Sequence, residues 1–461
     1  MADVRRRSVL GGAVGAALAG TALTGTALTG LATPAAADTT ASDTAASGTA
    51  EAAAQGRRRA FRLGVNYTPS TRWFHMWQDW RERDLRRDLD DIAKLGLDHI
   101  RMMLLWSDFQ PEPNLISGEK LDRLHEFLDY AGDAGLDVEI TVFNGHISAR
   151  YWTPNWLQTT PQPVNWFADP AALEAQRAFL TALGKRIGGH RRFLGFDLSN
   201  EPYYYWDSFA GLNVTVAQAD NWAKTLLATA GEVAPGKWNT VGCDRAPWDT
   251  RGDKYFSRTT LATAGAVTAI HPWTSFFGIL KTDPLGTFAT HNAERLVQLA
   301  QAYAADPAWP CWIQEDGAAP SIHFSDQTRP QLGEWIKRSV RNVASCAHTH
   351  GFTWWCSHDV SPTLVPKLNP LEYDLGLYTN DRKLKPAGAA IREIVAEFDR
   401  NPPKPASRTT GIVIPDDDPQ SGTNTFFALA SAGTRAAFVL RSKAGDQAHL
   451  KARGITKLVN P

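Results

Sequence analysis

Two glutamates follow apolar segments of this sequence, at positions where a carboxylate contributes nothing to packing. Glu201 comes directly after Leu-Ser-Asn at 198–200, and Glu315 comes directly after Ile-Gln at 313–314. Burial raises the pKa of a carboxyl group, as a general acid requires, whereas a neighbouring cation keeps a second carboxylate ionised. A single glutamate at the end of a strand is commonly only a salt-bridge partner. As a pair, Glu201 and Glu315 predict a proton donor and a charged nucleophile.

The elements that must position these two residues repeat along the chain from residue 61. Each repeat has a short apolar run, a polar or aromatic loop and a helical stretch, and the helical stretches at 84–94 and 121–131 space their apolar residues by three and four. The apolar runs fall at 61–67, 99–105, 138–143, 193–199, 238–243, 266–270, 311–314 and 352–356. Strands that are apolar throughout and alternate with helices indicate a parallel sheet buried on both faces.

The number of these units favours an α/β fold of the (β/α)8 TIM-barrel type, with an open doubly wound sheet as the alternative. No glycine-rich phosphate loop follows any of the runs, so the usual sequence signal of a nucleotide-binding sheet is missing. The carboxyl ends of barrel strands share one mouth. We therefore expect Glu201, after the fourth run, and Glu315, after the seventh, to face each other there.

This arrangement resembles the large clan of barrel glycosidases that includes glycoside hydrolase family 5, over roughly residues 61 to 398. The mark of that clan is an Asn-Glu pair after the fourth strand and a glutamate after the seventh, found here as Asn200, Glu201 and Glu315. The resemblance implies that Glu201 protonates the departing glycosidic oxygen while Glu315 attacks the anomeric carbon. Water then releases the sugar with retention of configuration, and no cofactor or metal is implied.

Further residues at the ends of strands match the same family. Arg101, in the second run, would hold Glu315 charged, or would form only a salt bridge at the barrel mouth. Asn200 would bond the sugar 2-hydroxyl, or would merely cap its loop. His146 and His271 would donate hydrogen bonds to sugar hydroxyls or to the glutamates, or would be structural histidines.

Two tryptophans complete the expected substrate-binding residues. Trp355, in the eighth run, would form the floor of the subsite before the scissile bond, and Trp354 would then point into the helical layer. Trp273 stands where the family usually has a tyrosine, two residues after His271. In the family that tyrosine orients the nucleophile by a hydrogen bond.

The first strand and its loop indicate a narrower group. Residues 64–70, Gly-Val-Asn-Tyr-Thr-Pro-Ser, and the aromatic-rich segment 73–77 resemble the branch of family 5 that contains exo-acting β-mannosidases. Aromatic clusters in the loops after the first, third and fourth strands form sugar-stacking walls or pack together as a lid. We expect hydrolysis of β-glycosides, with β-mannosides preferred and an endo-β-1,4-glucanase or mannanase as the alternative.

Two rivals belong to other functional classes. A non-catalytic carbohydrate-binding barrel would have kept the fold alone, but both glutamates and Arg101 are present. A metal-dependent hydrolase needs a histidine cluster at a strand end. His348 and His350 instead precede the eighth run, where we expect a turn at the opposite mouth.

The composition favours an uncharged partner. Lysine plus arginine number 48 and aspartate plus glutamate number 48, so the charge gives no reason to expect nucleic acid or an anionic membrane. The 17 tryptophans suit an oligosaccharide or polysaccharide, whose apolar sugar faces stack on flat rings. The four cysteines lack the spacing of a zinc site and are expected to be buried free thiols, with one disulfide as the alternative. Nothing in the sequence specifies the oligomeric state.

The two ends of the chain differ in composition from the barrel. Residues 1–37 are typical of a twin-arginine signal peptide, with arginines at 5–7 and alanines at 35–37, and a transmembrane anchor is the alternative. We expect cleavage, secretion and no membrane association afterwards. Residues 38–57 predict a flexible linker and 58–400 the glycosidase domain. Residues 401–461 predict a proline-rich linker and a small β appendage, from apolar runs at 411–414, 425–429 and 436–440.

Overall fold

The eight apolar runs all form strands, which close into a parallel barrel in the order β1-β10-β9-β8-β7-β6-β3-β2. The barrel strands are β1 (Arg62–Asn66), β2 (His99–Met103), β3 (Asp137–Thr141), β6 (Phe193–Asn200), β7 (Thr240–Asp244), β8 (Thr268–His271), β9 (Cys311–Asp316) and β10 (Thr349–Trp354). The β4 (His146–Ile147) and β5 (Arg150–Tyr151) strands form a separate hairpin. The predicted (β/α)8 barrel is therefore confirmed, and the open sheet is wrong.

The computed structural model describes residues 59–159 and 162–461. The signal peptide expected at 1–37 and the linker expected at 38–57 lie outside the described residues and stay predictions. No helix within the described part of the chain is both long enough and apolar enough to cross a bilayer.

Helices follow the strands and cover the barrel. They are α1 (Glu82–Lys94), α2 (Trp106–Phe109), α3 (Gly118–Asp133), α4 (Pro170–Ile187), α5 (Val216–Val233), α6 (Ala246–Asp249), α7 (Arg258–Leu261), α8 (Thr287–Tyr303), α9 (Pro320–His323), α10 (Leu332–Ala344) and α11 (Pro386–Arg400). Local sequence sets where several of them begin. The α4 helix starts with Pro170 in its first turn, and the Asp169 side chain accepts a hydrogen bond from the Ala172 backbone N–H at 2.8 Å.

The barrel interior is polar near the mouth where the strands end. In β2, His99 and Arg101 point into the barrel, where they contact Thr353 and Asp197 respectively. Ile100 and Met102 alternate with them and are buried towards the helices. This alternation places charged groups in the barrel interior while the apolar core lies between the strands and the helices.

The loops at this mouth carry short helical turns that form the walls of a pocket. These turns are Thr274–Phe277 after β8 and Pro370–Tyr373 after β10. After β6, Tyr204 lines the pocket and precedes a π-helical turn, Tyr205–Phe209. The β4–β5 hairpin follows β3 and faces the same pocket through His146 and Ser148. Each wall therefore comes from a segment that follows a barrel strand.

The C-terminal segment is a small α/β unit rather than a purely β appendage. Its strands β11 (Thr410–Ile414), β12 (Ala436–Leu440) and β13 (Lys457–Val459) form a parallel sheet in the order β12-β11-β13. The apolar run at 425–429 was expected to be a strand, but it lies in α12 (Thr423–Ser431), and α13 (Gln447–Ala452) precedes β13. Neighbouring parallel strands need a crossover connection, which a helix provides, so the run between β11 and β12 became helical.

Glu294 joins this C-terminal unit to the barrel. The carboxylate lies on α8, is buried, and contacts Arg408 and Arg435 at 2.6 Å each. Burial alone would raise the pKa of Glu294, but the hydrogen bond from His291 and the two arginines lower it to about 2. A buried carboxylate between two cations therefore connects the last 60 residues to the helical layer.

All four cysteines are buried and free in the structure, which agrees with the expectation of buried free thiols. The alternative of one disulfide is not observed.

We predict that Glu294→Gln lowers the free energy of unfolding by about 3 to 5 kcal/mol, because Arg408 would stay buried without a charged partner. Urea denaturation at pH 7 measures the loss. The difference from the wild type should shrink as the pH falls from about 4.3 towards 2, since a carboxyl with a lowered folded-state pKa stabilises only while it is ionised.

Glu393→Gln is the matched control for this prediction. Glu393 lies on α11 and pairs with Lys337 at 2.8 Å, but its side chain is 62% exposed. An exposed pair contributes less than about 1 kcal/mol. Equal stability of the two variants would contradict the role assigned to Glu294.

Candidate active site

Glu201 and Glu315 lie at the same mouth of the barrel and line one pocket of about 260 Å³. Glu201 follows the last residue of β6, and Glu315 is the penultimate residue of β9. One oxygen of each carboxyl group and a ring nitrogen of His271 all lie within 4.8 Å of one another. The two glutamates that are far apart in sequence are thus neighbours in space.

The backbone at Glu201 is held in an unfavourable conformation. Its φ is 43°, in the left-handed region that a side chain with a Cβ rarely adopts. The Glu201 backbone N–H donates a hydrogen bond to the Gly242 carbonyl at 3.0 Å, and Pro202 follows. Such strain persists where surrounding contacts hold a functional side chain in place.

Arg101 holds Glu315 from inside the barrel. Its guanidinium donates a short hydrogen bond to Glu315 Oε1, and further bonds to Asp197 Oδ2 at 2.7 Å and Asn200 Oδ1 at 2.9 Å. The expected contact between Arg101 and Glu315 is therefore present. Arg101 is fully buried and does not line the pocket, because its donors are directed to protein oxygens beneath the pocket floor.

Trp273 donates the hydrogen bond that the resemblance assigned to a tyrosine. Its indole N–H donates to Glu315 Oε2 at 3.3 Å, on the oxygen that Arg101 leaves free. Trp273 adopts a left-handed backbone conformation with φ 40°, which turns the ring back over β9. Both oxygens of Glu315 therefore have a donor, and Trp273 also lines the pocket as expected.

His271 contacts Glu201 rather than the pocket. Its Nδ1 lies 2.9 Å from Glu201 Oε1 and 3.5 Å from Glu315 Oε2. His271 is fully buried and is not among the residues that line the pocket. Of its expected roles, the contact with a glutamate is the one that the structure shows. Burial lowers the pKa of His271, which keeps the imidazole neutral.

The two carboxyl groups have different electrostatic surroundings. Burial raises the pKa of Glu201 well above its usual range, and the neighbouring carboxylate of Asp244 raises it further. Burial also raises the pKa of Glu315, but the positive charge of the directly bonded Arg101 opposes that shift. Glu201 is consequently the carboxyl that retains a proton, and Glu315 is the one stabilised as an anion.

The other predicted residues line the pocket. Asn200 presents its amide there, donating to the His146 carbonyl at 3.3 Å while its oxygen accepts from Arg101. His146 lies 5.1 Å from the ring of Tyr204, and its Nδ1 is buried with no hydrogen-bond partner among the described residues. Burial lowers the pKa of His146 to about 4, so the ring is neutral at pH 7.

Trp355 lines the pocket, whereas its neighbour Trp354 points outward to Trp335 of α10, at 6.2 Å between ring centroids. The expected opposite directions of this adjacent pair agree with the structure, since successive side chains of a strand leave on opposite faces.

Several lining residues were not predicted from the sequence. Asp244 is the last residue of β7 and directly follows the apolar run 238–243, a position like that of Glu201. The others come from segments that follow the strands and are Ser148, Ala149, Tyr204, Arg245, Phe276, Asn369, Leu371 and Glu372. Tyr204 belongs to an aromatic cluster that was noticed, and its hydroxyl donates to Asp244 Oδ2 at 3.1 Å. Phe276 stacks on Trp273 with centroids 4.9 Å apart and stays 51% exposed at the pocket mouth.

Glu372 is the most informative of these missed residues. It is a buried carboxyl in the turn after β10, and it accepts a hydrogen bond from the Ser148 hydroxyl at 3.1 Å. Burial raises its pKa to about 7. No apolar run ends at Glu372, so the signal that identified Glu201 and Glu315 was missing there.

Among the described residues, Glu201, His271 and Glu315 form the one group with a geometry able to hold a metal ion. His271 already bonds Glu201, and Arg101 occupies one oxygen of Glu315. A guanidinium in direct contact with a ligand oxygen opposes the binding of a further cation. The group is therefore better suited to sharing protons than to coordinating a metal.

Comparison with known sequences identifies a family over the region that contains both glutamates. The sequence model of Cellulase (glycosyl hydrolase family 5) matches residues 64–317. No curated protein matches the sequence.

Solved structures give closer relatives. GH5_18 from Streptomyces cattleya, in complex with GlcNAc, has a TM-score of 0.80 and 35% identity, over 88% of this chain and 99% of that one. A Glu→Ala variant of GH5_18 from the same organism, in complex with Manβ1-4GlcNAc, has a TM-score of 0.81 and 35% identity, over 87% and 99% of the two chains. GH5_18 from Bifidobacterium longum subsp. infantis has a TM-score of 0.79 and 29% identity, over 87% and 96%.

The family model spans more than half of the 461 residues, and the Streptomyces cattleya enzyme shares 35% identity over nearly its whole length. This chain therefore belongs to glycosyl hydrolase family 5.

Proposed function

We propose that the protein is a retaining β-mannosidase that removes one mannose from the non-reducing end of Manβ1-4GlcNAc or a longer glycan ending in it. The observation that carries the proposal is the pair of carboxyls at the pocket floor, of which Glu201 contacts His271 and Glu315 accepts from Arg101 and Trp273. The choice of sugar is supported by the Streptomyces cattleya relative, whose complex contains Manβ1-4GlcNAc.

The spacing of the two carboxyls supports retention. Retaining glycosidases have carboxyl groups ~5–5.5 Å apart, whereas inverting enzymes need ~6.5–9.5 Å to admit a water molecule. Glu201 and Glu315 have oxygens within 4.8 Å of each other, which leaves no room for water between the nucleophile and the acid. We infer that Glu315 itself attacks the sugar.

In the first step, Glu315 attacks the anomeric carbon and the glycosidic C–O bond breaks. Glu201 donates its proton to the departing oxygen, so the leaving sugar departs neutral. Arg101 and Trp273 hold the two oxygens of Glu315 in the orientation needed for attack. Asn200, at the same floor, is placed to bond the 2-hydroxyl as positive charge develops on the ring.

In the second step, a water molecule attacks the anomeric carbon from the side that the leaving sugar vacated. Glu201, now a carboxylate, takes a proton from this water, and Glu315 is released as a carboxylate. Two displacements at the same carbon return the original β configuration. Both glutamates regain their starting protonation states.

The pocket walls support action at a chain end. The Ser148 hydroxyl of the β4–β5 hairpin bonds Glu372 of the turn after β10 at 3.1 Å, which joins two loops across one side of the pocket. A polysaccharide continuing in that direction would have to cross this barrier. An endo-acting enzyme needs a cleft open at both ends, so removal of a terminal sugar is favoured. The exposed ring of Phe276 lies at the mouth, where it suits stacking on the leaving sugar.

The proposal is tested by incubating the protein with Manβ1-4GlcNAc, β-1,4-mannobiose, cellobiose, polymeric mannan and cellulose. We expect mannose from the first substrate and little loss of viscosity from mannan. Proton NMR should detect β-mannose before mutarotation. Early α-mannose would contradict retention, and rapid loss of viscosity would favour the endo-acting alternative. Undiminished turnover by Glu315→Ala would indicate a different nucleophile.

Trp273→Phe removes the N–H donor to Glu315 but keeps an aromatic ring over the pocket. Because a hydrogen bond to a charged group contributes about 1.5–3 kcal/mol, kcat/KM for Manβ1-4GlcNAc should fall roughly 10- to 150-fold, mostly in kcat. Steady-state kinetics measure the change. Trp309→Phe is the control, since Trp309 donates to Thr268 Oγ1 at the start of β8, far from the pocket. A drop of the same size in both variants would argue against a specific bond to Glu315.

Glu372→Gln tests the carboxyl that sequence patterns did not reveal. The substitution keeps the shape of the side chain but replaces one accepting carboxyl oxygen by an amide nitrogen that can only donate, so kcat/KM should fall about 10-fold or more. Asp374→Asn provides the comparison, because Asp374 bonds Lys385 outside the pocket. If Glu372→Gln retains wild-type kcat/KM, Glu372 supports the wall without touching substrate.

A further inference from the structure

Four side chains form a continuous row of hydrogen bonds from the pocket into the barrel interior. Glu201 Oε1 lies 2.9 Å from His271 Nδ1, and His271 Nε2 lies 2.8 Å from Gln314 Oε1. Gln314 Nε2 donates to Glu139 Oε1 at 2.7 Å. His271, Gln314 and Glu139 are all fully buried, so water does not compete for these contacts.

The direction of each hydrogen bond in this row follows from its inner end. The amide nitrogen of Gln314 can only donate, and it faces the carboxyl of Glu139. The amide oxygen can only accept, and it faces His271, so Nε2 of His271 must carry the hydrogen. In a neutral imidazole the other nitrogen is then an acceptor.

The same reasoning assigns the proton of Glu201. Because Nδ1 of His271 can only accept, the bond at 2.9 Å requires Glu201 to be the donor. If the Gln314 amide were reversed, Nδ1 would carry the hydrogen and would instead stabilise the ionised form of Glu201. The amide of Gln314 therefore selects the protonation state that a general acid needs.

The row also depends on the absence of a side chain at residue 242. A Cβ added to Gly242 on β7 would lie 2.3 Å from Gln314 Oε1 and 3.0 Å from His271 Nε2. No residue larger than glycine leaves space for the bond between these two groups. The neighbouring strand is thus shaped around the contact that determines the tautomer.

We propose that Gln314 and Glu139 are positioning residues that set the tautomer of His271 and thereby keep the proton on Glu201 in the resting enzyme. The proposal rests on the acid role given to Glu201 by the proposed function. After Glu201 has given its proton to the leaving oxygen, its carboxylate faces a lone pair of His271 with no hydrogen between them. This repulsion favours the return of a proton from water in the second step, while His271 keeps its Nε2 hydrogen throughout.

Other charged and titratable groups also act on this row. Arg101, Asp197 and Asp244 lie around Glu201, and Glu315 lies beside His271. The Tyr203 and Tyr204 hydroxyls and the Cys243 thiol are further neighbours of Glu201. Within the described part of the chain, none of these side chains is hydrogen-bonded to the side chain of Gln314. Substitutions at Gln314 should therefore change the tautomer of His271 and leave these neighbouring groups in place.

Gln314→Met is the main test, because methionine fills the space without accepting from His271. Nδ1–H of His271 can then donate to ionised Glu201 and stabilise the anion. The basic limb of the pH profile of kcat/KM, which reports the pKa of Glu201, should therefore move to lower pH by about one pH unit. Hydrolysis of Manβ1-4GlcNAc should fall at least about 10-fold further than hydrolysis of 2,4-dinitrophenyl β-mannoside, whose leaving group needs no proton. Glu139→Met should shift the basic limb in the same direction. The separate variant Glu139→Gln keeps an accepting oxygen for Gln314, so its basic limb should stay at the wild-type position.

Thr353→Val is the control for altered packing inside the barrel. Thr353 bonds His99, the first residue of β2, at 2.8 Å and takes no part in the row, so its loss should leave the basic limb in place. An unmoved limb in Gln314→Met, with equal losses on both substrates, would overturn the proposal.

Nitrogen-15 NMR of histidine-labelled wild-type protein tests the tautomer without any variant at Gln314. The His271 signals are assigned by their loss in His271→Asn. We expect hydrogen on Nε2 alone at pH 7, and hydrogen on Nδ1 would overturn the proposal. This measurement needs no turnover, so a protein that hydrolyses no β-mannoside would refute the proposed function while the tautomer could still be tested.

Discussion

Three buried carboxyl groups, those of Glu139, Asp197 and Glu315, surround the guanidinium of Arg101, and the chemistry of the pocket depends on how they compete for its charge. Arg101 bonds Asp197 and Glu315 directly but stays 3.9 Å from Glu139. A buried charge without a partner is costly, so the direct bond from Arg101 favours the ionised form of Glu315. Burial raises the pKa of Glu139 and that of Glu201 well above the usual range. Glu201 receives no bond from Arg101, and it is therefore left as the acid.

The barrel makes this competition possible because it brings different strands to one interior. Arg101 comes from β2, Asp197 from β6 and Glu315 from β9, and their side chains meet inside a ring of parallel backbone. An apolar interior at this mouth would have been more stable, but it could not separate the protonation states of two glutamates. The buried charged side chains at this mouth thus lower the stability of the fold and set the protonation states that catalysis needs, as is common at functional sites.

The sequence predicted the barrel and the meeting of the two glutamates because both depend on regular patterns. Apolar runs mark strands, and the residue after a run lies at the catalytic mouth. The pattern could not tell whether Arg101 and His271 face the pocket or lie beneath it, since that depends on contacts with other strands. Glu372 lies in an irregular turn, where periodicity carries no information, and the run at 425–429 became a helix because the strands around it are parallel.

The attachment of the C-terminal unit limits how this enzyme can be divided. Glu294 of α8 lies between two arginines that follow the barrel, and the Tyr303 hydroxyl at the end of the same helix donates to the Asp416 carbonyl at 2.9 Å. A chain ending after α11 would lack Arg408 and Arg435, so the buried carboxylate of Glu294 would lose both cations and the apolar surface beside it would become exposed to solvent. The C-terminal segment is therefore a structural part of the catalytic domain, and recombination could not exchange it freely as an independent module.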